Sequence, residues 1–157
     1  MDDIVVARAV HVLSVIHWVG GVAFVTLVVL PTIAAIAEPP RRLALFEAVE
    51  GRFSAQVKVS VPLAGLSGAY MAERLGDWQR FLQPSGWWLL AMALLWLLFM
   101  MILFVVEPLV LARRLRRLAA VDADGTFRLM QRAHWLLLSA AAVVAAAAVL
   151  GAHGQLG

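Results

Sequence analysis

Residues 9–37 read AVHVLSVIHWVGGVAFVTLVVLPTIAAIA, with no charged side chain between Arg8 and Glu38. About 20 consecutive apolar residues span the hydrocarbon core of a bilayer as a helix. This stretch therefore assigns the chain to the membrane class by itself. Two further charge-free runs, 81–106 and 133–157, are also long enough. In a fourth, only Val59 to Ala72 is strictly uncharged; extending it to about Phe53 gives a full span with Lys58 inside one end. The expectation is an all-α polytopic membrane four-helix bundle. It forms one domain over 1–157, with spans near 5–36, 54–74, 86–112 and 127–151.

Composition agrees. The 157 residues are 63% hydrophobic and 15% charged, against about 45–50% and about 25% in soluble domains. The first apolar run exceeds the 7–15 residues of a signal-peptide core, and Asp2 and Asp3 precede it rather than basic residues. It is expected to remain in the mature protein. Cysteine is absent, which excludes disulfides, thiolate metal sites, iron–sulfur clusters and covalent haem attachment.

Arginine placement sets the orientation. Arg41, Arg42 and Arg52 follow the first span; Arg113, Arg114, Arg116, Arg117, Arg128 and Arg132 follow the third. The opposite face has Arg8, Arg74 and Arg80. Positive residues stay inside, so both termini should face the periplasm of a bacterial inner membrane. The arginines flank spans without a recognition motif, so the expected surroundings are a lipid bilayer and not nucleic acid. Residues 37–53 show helical periodicity and read as a short amphipathic surface helix. The last span should be capped near Asp124.

His11 and His17 are the chemistry of the first span. Strongly polar groups are costly in a bilayer and tend to face the bundle interior, where they mark sites. Imidazole is a common ligand for haem iron and for copper. The two rings are ~9 Å apart in height and about 120° apart around the helix, so they cannot clamp one iron from opposite faces. Each needs a partner from another helix, or one supports the other. Depth matching brings His153 level with His11; Ser14, Gly20 and Gly21 complete the candidate cofactor-binding set. His134, beside Arg132 and Trp135, reads as an interfacial residue and is the weaker ligand candidate.

Haem b in a bundle wants a neutral imidazole on iron and small residues against the ring. Gly20-Gly21, the small-residue pattern Ala64-Gly65-Leu-Ser-Gly68-Ala69 and the alanines of 140–148 could provide them, although close helix packing uses the same residues. Copper is the alternative cofactor, with Met71 and Met92 in the outer half. Lys58 and Glu107 lie toward the inner end and read as an ion pair with each other, or Glu107 with Arg132, with proton transfer as the sharper alternative.

The segment Arg8-Ala-Val-His11 through Val19-Gly-Gly21-Val-Ala-Phe24 to Val29-Leu-Pro31 resembles the first helix of the CopD-like (copper-resistance D) membrane proteins and the related HemJ-type protoporphyrinogen oxidases. Glu50-Gly-Arg-Phe53, the Pro62/Gly65/Gly68 helix and Gly86-Trp-Trp88 continue the likeness. The resemblance implies a four-helix core with an outer-half histidine site for b-type haem or copper, and it gives His11 the ligand role. Some relatives hold a second histidine at the start of the third helix, where this chain has Leu89-Leu90. The functional expectation is thus a b-type haem protein in electron transfer or redox at the outer face. Its partners would be a redox protein, a quinone or a larger membrane complex. A copper-handling protein and a non-catalytic subunit of a larger complex are the alternatives. Whether the chain is an enzyme stays open.

Overall fold

Proline, glycine and one aspartate punctuate this chain. The structure, a computed structural model, describes residues 3–155, without the side chains of 110–112. The expectations placed on Asp2 and on the last two residues of the run 133–157 lie outside the described residues. Every regular element among the described residues is helical.

Helix α1 (Asp3–Ile36) runs through one widened turn of π type at Val25–Val29. Pro31 explains it. Proline offers no N–H to the Leu27 carbonyl and its ring presses against that carbonyl, so the preceding turn opens. Helix α2 (Pro39–Leu75) starts with prolines at its first turn, where their missing N–H groups cost nothing. It ends at Gly76, whose φ of 69° is the left-handed cap that glycine takes most cheaply. Two short 3₁₀ turns, Asp77–Leu82 and Pro84–Gly86, lead into α3 (Trp87–Met101). A π-helical stretch, Ile102–Leu111, contains Pro108 and passes into α4 (Ala112–Val121). Helix α5 (Ala123–Ala152) completes the chain.

Two of these expectations need correction, on residues 37–53 and on the cap at Asp124, and the basic stretch after the third span gains a structure. Residues 39–75 form one continuous helix rather than a surface helix followed by a span: Glu50-Gly-Arg-Phe53 has no proline, and burial of Phe46 against the bundle outweighs the cost of about 1 kcal/mol at Gly51. The basic stretch after the third span is helical, since Ala112-Arg-Arg-Leu-Arg-Arg-Leu is made of strong helix formers. The cap of α5 is Asp122, whose carboxylate accepts from the Gly125 N–H at 2.8 Å. Asp124 instead binds Arg42 and Arg128.

Three helical stretches are long and apolar enough to cross a membrane: Asp3–Ile36, Pro84–Leu109 and Ala123–Ala152. Helix α2 is long enough but less apolar, because Gln56, Lys58, Ser60 and Ser67 lie in the half that would cross. Leu13, Ile16, Leu66, Leu94, Leu136 and Val143 all point outward. A helix exterior of this kind suits lipid and would be a liability in water.

The interior has two apolar clusters. One gathers Leu30, Ile33, Phe46, Phe127 and Met130 at the end where α1 gives way to α2. The other, around Trp18, Val57, Val61, Phe99 and Leu103, fills the middle. Glycines set how closely the helices approach, and aromatic rings fill the space they leave. A Cβ at Gly21 would overlap the Phe53 ring, one at Gly65 the Trp96 indole, and one at Gly151 the Trp88 indole. The small-residue pattern thus serves packing: the glycine slots hold the protein's own rings.

Candidate functional site

The antiparallel seam between α1 and α2 holds both first-span histidines. Its register is marked by four pairs: Asp3 with Tyr70, His11 with Ala64, His17 with Ser60, and Gly21 with Phe53. At the terminal end Asp3 accepts from Tyr70 at 2.8 Å and pairs with Arg74 at 2.9 Å. Arg74 is therefore engaged in an ion pair at this end.

His11 is half-buried, with its ring against Gly68; a Cβ there would lie 3.2 Å from the ring. Its Nδ1 is 2.8 Å from the Ala64 carbonyl oxygen, with Ser67 Oγ at 3.4 Å. A carbonyl only accepts, so Nδ1 carries the proton and Nε2 of the neutral ring keeps a free lone pair. Metal-binding histidines are held in the same way, the other nitrogen donating to a carbonyl or carboxylate.

His17 differs. Its Nδ1 lies 3.0 Å from Ser60 Oγ and its Nε2 3.4 Å from Gln56 Oε1. With Nε2–H donating to the Gln56 carbonyl, Nδ1 accepts from the Ser60 hydroxyl. Both nitrogens are then used, and His17 has no lone pair to offer. Although the rings diverge around α1, both reach α2, where Gln56, Ser60, Ala64 and Ser67 recur at helical spacing on one face. Of the rest of the expected set, Ser14 is buried, Gly20 is open and Gly21 is filled by Phe53.

The other histidines stand elsewhere. His153, at the end of α5, turns back to the Val149 carbonyl at 2.8 Å. His134 donates from Nδ1 to the Met130 carbonyl at 2.9 Å and meets Phe46 edge-on. Among the described residues no three histidine or carboxylate side chains gather closely enough to hold a metal ion. The donor chemistry for haem fits at one place, His11 Nε2. Of the small residues expected against a flat ring, Gly21 and Gly65 are filled by Phe53 and Trp96, while Gly20 is open and Gly68 lies against the His11 ring.

A second polar group lies deeper along α2. Lys58 Nζ is 3.1 Å from Glu107 Oε1, as the sequence led one to expect, and Ser54 Oγ lies 2.7 Å from both Glu107 oxygens. Glu107 sits in the π-helical stretch, beside Pro108. One turn before Ser54, Glu50 lines an apolar cavity of about 330 Å³ together with Trp18, Phe46, Ser54 and His134. Burial, reinforced by the neighbouring charges of Glu107 and Glu47, pushes the Glu50 carboxyl up to about 7.

Sequence reasoning missed Gln56, Ser60, Ser67, Ser54 and Glu50. A signal was present: polar residues spaced three and four apart in an otherwise apolar span mark a face turned toward polar partners. Set against protein-family models, curated proteins and solved structures, the chain has no match.

Proposed function

We propose that this chain is a four-helix inner-membrane protein, with both termini on the outer side, that binds b-type haem through His11 and carries electrons. One observation supports it above the others. The Nδ1–H bond from His11 to Ala64 orients the half-buried ring and leaves Nε2 with its lone pair. Nothing comparable favours His17, which acts here as a hydrogen-bonded brace between α1 and α2. The four-span topology is supported by three apolar helices, by α2 packed lengthwise on α1, and by arginines concentrated at one end. Haem b would supply a one-electron couple; the chain's own residues would hold and orient it. Copper is the second reading; it would draw on imidazole and thioether donors.

Purification from haem-sufficient cells, followed by absorption spectra and a pyridine haemochrome assay, tests this reading. The expected result is a Soret band that His11→Ala abolishes and His134→Ala leaves in place. His17→Ala should perturb the band without removing it. Folded protein free of haem, or a spectrum unchanged by His11→Ala, would overturn the assignment. Copper at one equivalent without haem would replace it with the copper reading.

A further inference from the structure

Helix α4 begins just after an apolar stretch long enough to cross a membrane, Pro84–Leu109, so its first turn emerges at the bilayer surface. One side of it is committed to the fold. Leu115 is buried in the cluster with Phe46 and Phe127, and Arg116 pairs with Glu47 of α2 at 3.1 Å. The opposite side is free. Arg113, Arg114 and Arg117 are exposed, and no carboxylate among the described residues pairs with them, whereas Arg42 and Arg128 hold Asp124. Residues three and four apart are neighbours on a helix, so Arg117 stands next to both Arg113 and Arg114. Leu118 and Val121 follow one turn beyond Arg114 and Arg117, and they are 49% and 91% exposed.

Neighbouring like charges repel, and large apolar side chains beside them gain nothing from water. An anion relieves the first and a hydrocarbon boundary the second. A nucleic acid would answer the charges and leave Leu118 and Val121 in water. A phospholipid answers both: its phosphate accepts from guanidinium groups, whose planar fork matches phosphate oxygens, while its glycerol and upper acyl carbons cover the apolar pair. The headgroup must be anionic, since the ammonium of a zwitterionic one brings a positive charge to three arginines. We propose that α4 binds an anionic phospholipid of the phosphatidylglycerol type in the leaflet at this end. Arg113, Arg114 and Arg117 are its phosphate donors, and Leu118 and Val121 its apolar support. The proposal rests on the membrane-spanning reading of the chain and not on haem.

The test uses the full chain in nonionic detergent and equilibrium binding of an acyl-labelled phosphatidylglycerol. Saturable binding is expected, displaced by unlabelled phosphatidylglycerol and about tenfold or more less well by phosphatidylcholine. The triple variant Arg113→Gln, Arg114→Gln, Arg117→Gln should weaken it about tenfold or more. A second triple, Arg41→Gln, Arg52→Gln, Arg132→Gln, removes the same charge from exposed arginines at the same end and should bind as the parent does. Leu118→Ser with Val121→Ser should weaken binding severalfold. Should the α4 triple variant unfold early, the single change Arg114→Gln and the lipid competition decide. Equal loss in both triple variants would show attraction to net charge alone and overturn the proposal. Equal displacement by phosphatidylcholine, or by glycerol phosphate without acyl chains, would overturn it too. So would tighter binding of a uridine oligonucleotide, in favour of nucleic acid. Release of the chain from membranes by alkaline carbonate would strike the spanning reading itself, and loss of haem with lipid binding intact only the His11 reading.

Discussion

The seam that holds His11 and His17 and the cavity that holds Trp18, Glu50 and His134 are both polar intrusions into an apolar bundle, yet they are finished differently. Along the seam both nitrogens of His17 are paired, Nδ1 of His11 is paired, and Gly21 and Gly65 are filled with the chain's own rings. Around the cavity an indole N–H goes unanswered and a carboxyl is pushed to about 7. A satisfied polar network fixes geometry, whereas an unpaired buried polar group carries an uncompensated desolvation cost. The two regions therefore differ: hydrogen bonds along the seam hold α1 on α2, and the cavity leaves space between helices.

The comparison breaks most visibly at Glu107. Glu107→Leu leaves Lys58 without its partner and Ser54 without its acceptor, and the pair is only partly exposed. A loss of about 2–3 kcal/mol in unfolding free energy is expected, read as a lower midpoint in detergent, while any spectrum that depends on His11 stays unchanged. Restoration of most of that loss by a second change, Lys58→Met, would identify the uncompensated charge as the cause.

Glu50 sharpens the contrast through pH. Its carboxyl is raised from 4.5 to about 7 in the folded chain, so between those values the folded state holds a proton that the unfolded state has released. Stability then falls as pH rises through this window, by about 1–2 kcal/mol after allowance for partial exposure. Glu50→Gln should flatten the profile, and an unchanged slope would place the titration elsewhere. The smallest effect belongs to the seam. Ser60→Ala removes the hydroxyl that faces His17 and should cost about 1 kcal/mol, a typical single hydrogen bond, with no pH dependence tied to Glu50.

Much of the architecture was legible because lipid imposes a simple rule: long charge-free runs become helices. The runs 9–37, 81–106 and 133–157 correspond to the helical stretches Asp3–Ile36, Pro84–Leu109 and Ala123–Ala152. The continuity of α2 was hidden because Arg41, Arg42, Glu47, Glu50 and Arg52 give its first half the composition of a surface helix, while Phe46 on its inner face is almost wholly buried. At the site, the importance of His11 could be read from polarity against an apolar background. Its partner could not, because Ala64 contributes a backbone carbonyl, which carries no side-chain signature. The cap moved from Asp124 to Asp122 for a similar reason: two aspartates sit two positions apart, and Asp124 is engaged by Arg42 across the bundle while Asp122 caps.

The widened turns at Val25–Val29 and Ile102–Leu111 have a consequence for how this sequence tolerates change. Each π-type turn absorbs an additional residue per turn, and one residue of an ordinary helix amounts to about 100° of rotation. The stretch around Pro108 thus acts as a phase shifter: it decides which side chains upstream and downstream face the same neighbour. Glu107 faces Ser54 and Lys58 while Arg116, farther along, meets Glu47 at 3.1 Å on the same helix α2. Losing one residue between them would swing the arginine helix by about 100° about its own axis and leave every amino acid that makes these contacts in place but out of phase.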